Sequence, residues 1–364
     1  MAGLIDDRAE HVLSANTSRM IGDGIPYPDI ARIRSELTSW RMWFGLWREL
    51  ALEYEREAEQ ALVLGCPISA GELYWHASLS WHYAQFLWFE FREERESGQK
   101  SKVEMYRKAA PLLSPSAERV EVPCEAFPIP GYLRLPVNES VAPCVVLIGG
   151  LESTKEESYG FENMCLRRGI ATFTFDGPGQ GEYFFQRPMV ADFERYTSAV
   201  IDYLQNRPEI DRNRIGVLGR SLGGYYAVRS AALDDRLKAC VAFGALYDLS
   251  FFRDLEPLTQ EGFRYATGIP DSTEAEVALR RYVNLAGVAK QLRAPLYVLH
   301  GGKDRLIPPT QAALLDRNVT HAPKTIVIEP EGDHCCHNLH SRVRPKMADW
   351  LAIQLKASGY RRQT

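Results

Sequence analysis

The spacing of apolar positions changes once along the chain. Through residues 1–117 apolar side chains recur at intervals of three, four and seven, which predicts helices near 28–64, 69–97 and 101–112 and no strand. Pro26 and Pro28, Gly65-Cys-Pro67 and the stretch from Pro111 to Pro115 punctuate these helices. From about residue 118 short β-rich runs take over: RVEVP, YLRLP, CVVLIGG, ATFTFDG, RIGVLGRS, ACVAFGA, PLYVLHGG and KTIVIEP, with helical stretches between the later ones. Strand followed by helix, repeated, predicts a mostly parallel sheet with helices on both faces and a ligand site at the carboxyl ends of the strands. The expected organisation is a helical domain over 1–117 and an α/β domain over 118–364. Within the latter, 249–290 is too long for an ordinary connection and reads as a second segment packing with the N-terminal helices over the site.

One strand-like run delivers a serine into a sharp turn. Residues 214–224 read RIGVLGRSLGG, so Ser221 sits in Gly-x-Ser-x-Gly between a buried parallel-strand signal and the small-residue helix LGGYYAVRSAAL. The five-residue pattern alone is loose in a chain with 27 glycines. Its strand-turn-helix context makes it a nucleophile elbow, with Gly219 and Gly223 allowing strand and helix to pass closely.

A serine hydroxyl needs a histidine to take its proton and a carboxylate to hold the imidazole, expected in the order Ser, acid, His. Asp304, in the glycine-rich loop LHGGKD after the seventh strand-like run, is the candidate acid, with Asp248 one strand earlier as the alternative. His334 follows the Gly-Asp turn after the eighth run and is the candidate base. His337 and His340 fall at the start of the last helix and read as packing or capping residues. The Leu151 N–H, in the loop after CVVLIGG, and the Leu222 N–H, at the helix start, are the candidate oxyanion donors. STKEES, just after Leu151, reads as a solvated helix start capped by Ser153, or as help for a polar substrate.

Composition narrows the function classes. A net charge of −4 without a basic block argues against nucleic acid and anionic membrane as partners, leaving a small molecule. The polar N-terminus and the lack of a long apolar run point to a cytoplasmic protein. Seven scattered cysteines (Cys66, Cys124, Cys144, Cys165, Cys240, Cys335 and Cys336) read as free thiols, with Cys144 and Cys240 in the core. The run DHCCHNLH offers possible metal ligands, but adjacent cysteines seldom both face one ion and no second pair stands at zinc-site spacing, so no metal is expected. DGPGQGE lacks the endings of nucleotide-binding loops, and no cofactor is expected. Six of the seven tryptophans lie in the helical half, at spacings that predict a helix-helix core, a few of them open to lining an aromatic pocket.

Together GGLESTKEES, DGPGQGE, GRSLGGYYA, LHGGKD and EGDHCCHN resemble the α/β-hydrolase superfamily over roughly residues 118–360. The STKEE run, with RMIGDGIPYPDI and SAGELYWHASL, is similar to the branch that contains 2,6-dihydroxypseudooxynicotine hydrolase and the fungal polyketide-shortening hydrolases of melanin pathways. That resemblance implies an α/β-hydrolase fold with an N-terminal all-helical cap over a Ser-Asp-His site. It also implies cleavage of a carbon-carbon bond next to a ketone and a homodimer through the helical part. Ser221, Asp304 and His334 match its triad positions. The leaving carbon in such a cleavage must be an electron sink, as in a hydroxylated ring protonated at carbon. A carboxylesterase or lactonase acting on a bulky aromatic ester would use the same residues. A non-catalytic binding protein on the same fold would be expected to lack one of them.

Overall fold

The structure, a computed structural model, describes residues 6–125 and 127–357. The first five residues of the N-terminus and those beyond 357 lie outside the described residues. The chain divides into two compact units, Met1–Glu118 and Arg119–Thr364.

The first unit is built from α1 (Asp7–Asp23), α2 (Tyr27–Glu36), α3 (Trp43–Val63), α4 (Pro67–Gln85) and α5 (Arg92–Ala109). α4 is its central helix: every residue from Ala77 to Gln85 is buried, and α4 packs against both α3 and α5. Trp43, Trp47 and Trp88 are fully buried, and Trp40, Trp43 and Trp47 run ring to ring at centroid separations of 5.2 and 5.8 Å. The Trp43 indole N–H donates to the Tyr83 carbonyl at 2.7 Å, fixing α3 on α4. Most of the tryptophan stripe is therefore core.

Periodicity misreads two helices here and misses a third. The helix expected over 28–64 is broken between Leu37 and Met42, where Leu37 is extended. The helix expected over 69–97 ends at Gln85, because Leu87 is left-handed and the turn after it buries Trp88 and Phe89, 5.1 Å separating the Trp88 and Trp40 rings. α1, not anticipated, has a sparse stripe of Ala9, Val12, Leu13 and Met20 and a polar middle. Its caps were the available signal: Asp6 accepts from the Ala9 N–H at 2.7 Å, and Gly24 closes the other end in the left-handed region.

The second unit is an eight-stranded sheet in the order β1-β2-β4-β3-β5-β6-β7-β8. Its strands are β1 (Ala117–Val122), β2 (Ile129–Arg134), β3 (Ala142–Ile148), β4 (Ala171–Phe175), β5 (Ile210–Arg220), β6 (Leu237–Phe243), β7 (Leu296–Gly301) and β8 (Lys324–Glu329). β2 runs antiparallel to β4, and every pairing from β4 through β8 is parallel. Along β3, Cys144, Val146 and Ile148 enter the core on one face while Val145 and Leu147 enter the core on the other. A strand buried on both faces reads as a continuous apolar run, as these do.

The connecting helices are α6 (Tyr159–Leu166), α7 (Glu194–Gln205), α8 (Leu222–Leu233), α9 (Pro257–Thr267), α10 (Ser272–Tyr282), α11 (Thr310–Asn318) and α12 (His340–Gln354). The 249–290 segment folds as α9 and α10 and anchors Phe252, Phe263, Leu279 and Val283 in the same core as the helix after Ser221. All seven cysteines are unpaired, and Cys144 and Cys240 are fully buried. Among the described residues no helix is long and apolar enough to cross a membrane.

Candidate active site

Register brings the strand ends together. Ile148 is level with Phe175 on one side and Gly219 on the other, Gly219 is level with Ala242, and Phe243 is level with Leu299. The loops leaving β3, β4, β5, β6 and β7 therefore emerge side by side, and each predicted site residue lies on one of them or on the loop after β8.

Ser221 joins β5 to α8 with φ 57° and ψ −122°, a strained conformation for a residue with a side chain. The turn is tight enough to exclude neighbouring side chains: a Cβ on Gly219 would lie 1.8 Å from the Gly223 carbonyl oxygen, and one on Gly223 would lie 2.2 Å from that of Ile148. Ser221 is held by its own N–H, which donates to the Phe243 carbonyl at 2.7 Å. Leu222 is the first residue of α8, where an N–H has no acceptor in the preceding turn.

Asp304 and His334 meet directly. The His334 Nδ1 lies 2.8 Å from Asp304 Oδ2, while Asp304 Oδ1 accepts from the Leu306 and Ile307 N–H groups at 2.9 and 2.8 Å. Asp248 is engaged elsewhere, its Oδ1 accepting from the N–H and hydroxyl of Ser250, so it is a turn residue. Burial works against an ionised Asp304, but His334, His300 and the backbone donors outweigh it and hold its pKa below the usual carboxylate value. Burial also disfavours a charged His334, yet the Asp304 carboxylate and the Cys335 sulfur push its pKa well above the ordinary histidine value.

His300 is a residue that sequence reasoning passed over. It is fully buried in β7, its Nε2 donates to the Ile307 carbonyl at 2.8 Å, and the same nitrogen is 3.5 Å from Asp304 Oδ2. Its position four residues before Asp304, in LHGGKD, was the available signal. Burial lowers its pKa, against the opposing pull of the Asp304 carboxylate.

Ser221 reaches this pair through one shared carbonyl. The Cys335 thiol donates to the Phe243 oxygen that also accepts the Ser221 N–H, and Cys335 Sγ lies 3.5 Å from His334 Nε2. Among the described residues no hydrogen bond joins the Ser221 hydroxyl to His334. Such contacts are commonly loose without substrate and tighten when it binds.

The loop after β3 runs Gly149-Gly150-Leu151, and Gly150 lies against the elbow: a Cβ there would come within 3.1 Å of Ser221 Cβ. The family model described as esterase FrsA-like matches residues 41–260, more than half of the chain. The chain belongs to that family of α/β-hydrolases. A prolyl oligopeptidase family model matches residues 187–358. The 2,6-dihydropseudooxynicotine hydrolase of Paenarthrobacter nicotinovorans is 47% identical to this hydrolase over 92% of this chain and 90% of its own. The crystal structure of a 2,6-dihydroxy-pseudo-oxynicotine hydrolase matches with a TM-score of 0.88 at 46% identity, covering 93% of this chain and 96% of that one. The 20-hydroxy-prefusarin hydrolase of Gibberella moniliformis is 33% identical over 57% of this chain and 52% of its own, so this hydrolase spans about half of that fungal relative.

In the hydrolase the STKEES run is not solvated. Lys155, Glu156 and Glu157 are all buried. The Lys155 ammonium lies 2.8 Å from Asp176, 2.6 Å from Glu156 and 2.6 Å from Glu182, and its backbone N–H donates to Asp176 at 2.9 Å. Arg119 adds a second cation, 2.6 Å from Glu182. Glu156, Asp176 and Glu182 are close enough to hold a metal ion, but the Lys155 ammonium already stands among them. DGPGQGE thus supplies Asp176 and Glu182 as anions for the segment that follows the loop after β3, and Arg220, next to the serine, pairs with Glu157 and donates to Ser153 at 2.9 Å.

This cluster carries a stability prediction. Burial opposes ionisation of Glu182, but Lys155 and Arg119 pull its pKa down to about 2. In the native protein its contribution is present above the ordinary glutamate pKa and is lost as pH falls toward 2. Lys155→Met keeps the volume and removes the cation beside the buried Glu156 and Asp176 carboxylates, while Glu182 keeps Arg119, so denaturant unfolding is expected to show a loss of about 3–5 kcal/mol at neutral pH. Neighbouring carboxylates in the variant then repel one another with less positive charge between them, so mild acid is expected to restore part of its stability while leaving the wild type unimproved.

The DHCCHNLH run leads from the loop after β8 into α12. Cys335 and Cys336 are buried in the left-handed region at φ 52° and 44°, Asp333 accepts from the Asn338 N–H, and His340, the first residue of α12, bonds the His337 carbonyl.

Proposed function

We propose that the enzyme hydrolyses the bond between a ketone carbonyl carbon and an aromatic or otherwise activated carbon, using Ser221 as nucleophile, His334 as acid and base, and Asp304 as the group that holds His334. The observation that carries this reading is the Asp304–His334 hydrogen bond of 2.8 Å at the strand ends where the strained Ser221 turn also lies. The ketone rests on the near-full-length similarity to a hydrolase named for a pseudooxynicotine. Leu222 and Leu151 N–H would stabilise the oxyanion. Attack on the carbonyl carbon forms an acyl-enzyme and expels the ring carbon, which takes its proton from His334; water then releases the acid. The net reaction is acyl-arene plus water to carboxylic acid plus arene.

The helical unit, rich in aromatic side chains, is the part of the chain to which we assign substrate selection. Seven unpaired cysteines suit a reducing cytoplasm. A serine-reactive phosphonate is expected to label Ser221, and mass spectrometry of products from hydroxylated aryl ketones, β-diketones and aryl esters is expected to show carboxylic acid plus arene from the ketones. Turnover of the esters with every ketone untouched would replace the carbon-carbon reading with a carboxylesterase.

A further inference from the structure

Gln180, fully enclosed in the loop after β4, joins the DGPGQGE run to the loop after β3. Its side-chain oxygen accepts from the Gly177 N–H at 3.2 Å, which identifies the other terminus as the NH₂ group. That NH₂ donates to the Gly149 carbonyl at 2.6 Å and to the Gly150 carbonyl at 3.2 Å. The Gly150 carbonyl also accepts from the Ser153 N–H at 3.3 Å.

Two successive carbonyls are therefore turned toward one amide. In a trans peptide the N–H points opposite to the carbonyl, so the N–H groups of Gly150 and Leu151 are turned away from Gln180. Successive N–H groups turned the same way form a concave anion site, and Gly150 lies against Ser221. Resting on the serine-hydrolase reading above, we propose that Gln180 is a positioning residue that holds the Gly150–Leu151 peptide in the orientation that stabilises the oxyanion. Without it, the Gly150 carbonyl would keep only the 3.3 Å bond from the Ser153 N–H, and Gly150 itself offers little resistance to a flip of that peptide, which would present a carbonyl oxygen to the developing negative charge.

The test uses Gln180→Met, which keeps the volume and removes the donors, and Gln180→Glu, which keeps the shape and puts an anion against the two carbonyls. Loss of a direct oxyanion donor costs about 10²–10³ in kcat, so a misaimed one is expected to cost roughly 10- to 100-fold in kcat per phosphonate-titrated site, with KM changed little. The rate of phosphonate labelling is expected to fall in parallel, because the phosphonyl oxygen occupies the same site. A purely structural role would lower the titratable fraction and the melting temperature and leave kcat per titrated site intact, and that result would overturn the proposal.

The wild-type phosphonate adduct gives a reading independent of the variants' folding. Its crystal structure is expected to place the phosphonyl oxygen within hydrogen-bond distance of Leu151 N, with both glycine carbonyls still on Gln180. An oxygen directed elsewhere would overturn the assignment. Failure of wild-type Ser221 to label would instead remove the serine-hydrolase reading itself.

Discussion

Ser221→Ala is expected to lower kcat by about 10⁵- to 10⁶-fold while leaving the fold intact. The hydroxyl is the only atom removed, so what is lost is the covalent step, and the residual rate reflects substrate binding and the oxyanion donors. Stability should change little, since alanine meets the same strain at φ 57° that serine does. Ser221→Gly separates the two properties: it relieves that strain, so it is expected to melt higher than Ser221→Ala while being equally inactive. Steady-state kinetics, checked against phosphonate labelling to exclude wild-type contamination, read the first effect, and calorimetry the second. Retention of most activity by Ser221→Ala would remove Ser221 as nucleophile.

Asp304→Asn is expected to cost about 10⁴-fold in kcat, through the tautomer of His334. Asp304 Oδ1 is fixed by the Leu306 and Ile307 N–H groups, so the asparagine carbonyl takes that place and its NH₂ faces His334 Nδ1. Nδ1 must then accept, the ring proton moves to Nε2, and the nitrogen needed to take a proton from serine is occupied. The pH profile adds a second reading. In the wild type His334 titrates above the ordinary histidine value, and the neutral form is the base, so the acid limb of kcat/KM is expected above pH 6.5. Burial disfavours the charged ring and remains in the variant, while the carboxylate that outweighed it is gone. The acid limb of the residual activity is therefore expected at lower pH. Asp248→Asn, whose carboxylate serves the Ser250 turn, should be nearly silent. If Asp248→Asn proved the more damaging, the acid would belong to the earlier strand.

Much of the candidate site was legible because the chemistry proposed for it is written locally. A strand run, a glycine turn and a small-residue helix around Ser221 are consecutive residues, and so are the turns carrying Asp304 and His334. The strand runs of β3, β4, β6 and β7 were legible for the same reason, since strands buried on both faces are apolar throughout, whereas the partly exposed β1 and β8 were legible by their β-branched residues. What escaped depends on residues distant in the chain. Helix α1 has too weak a stripe to stand out, and the break after α4 exists because Trp88 is buried against Trp40. Lys155, Glu156 and Glu157 read as a solvated run because charged residues are seldom fully buried without partners, and their partners Asp176, Glu182 and Arg220 come from other segments of the chain.

By itself, then, the sequence determined the α/β class, the strand count and which serine, aspartate and histidine could act, because periodicity and turn chemistry are properties of neighbours. Only the tertiary structure decided that His334 pairs with Asp304 and not Asp248, that a buried lysine stands among three carboxylates, and that Gln180 holds the glycine loop. Apart from the neighbouring Lys155–Glu156 pair, each of these is a hydrogen bond or ion pair between groups far apart in sequence, and its partner is chosen by the register of parallel strands, which no single segment encodes.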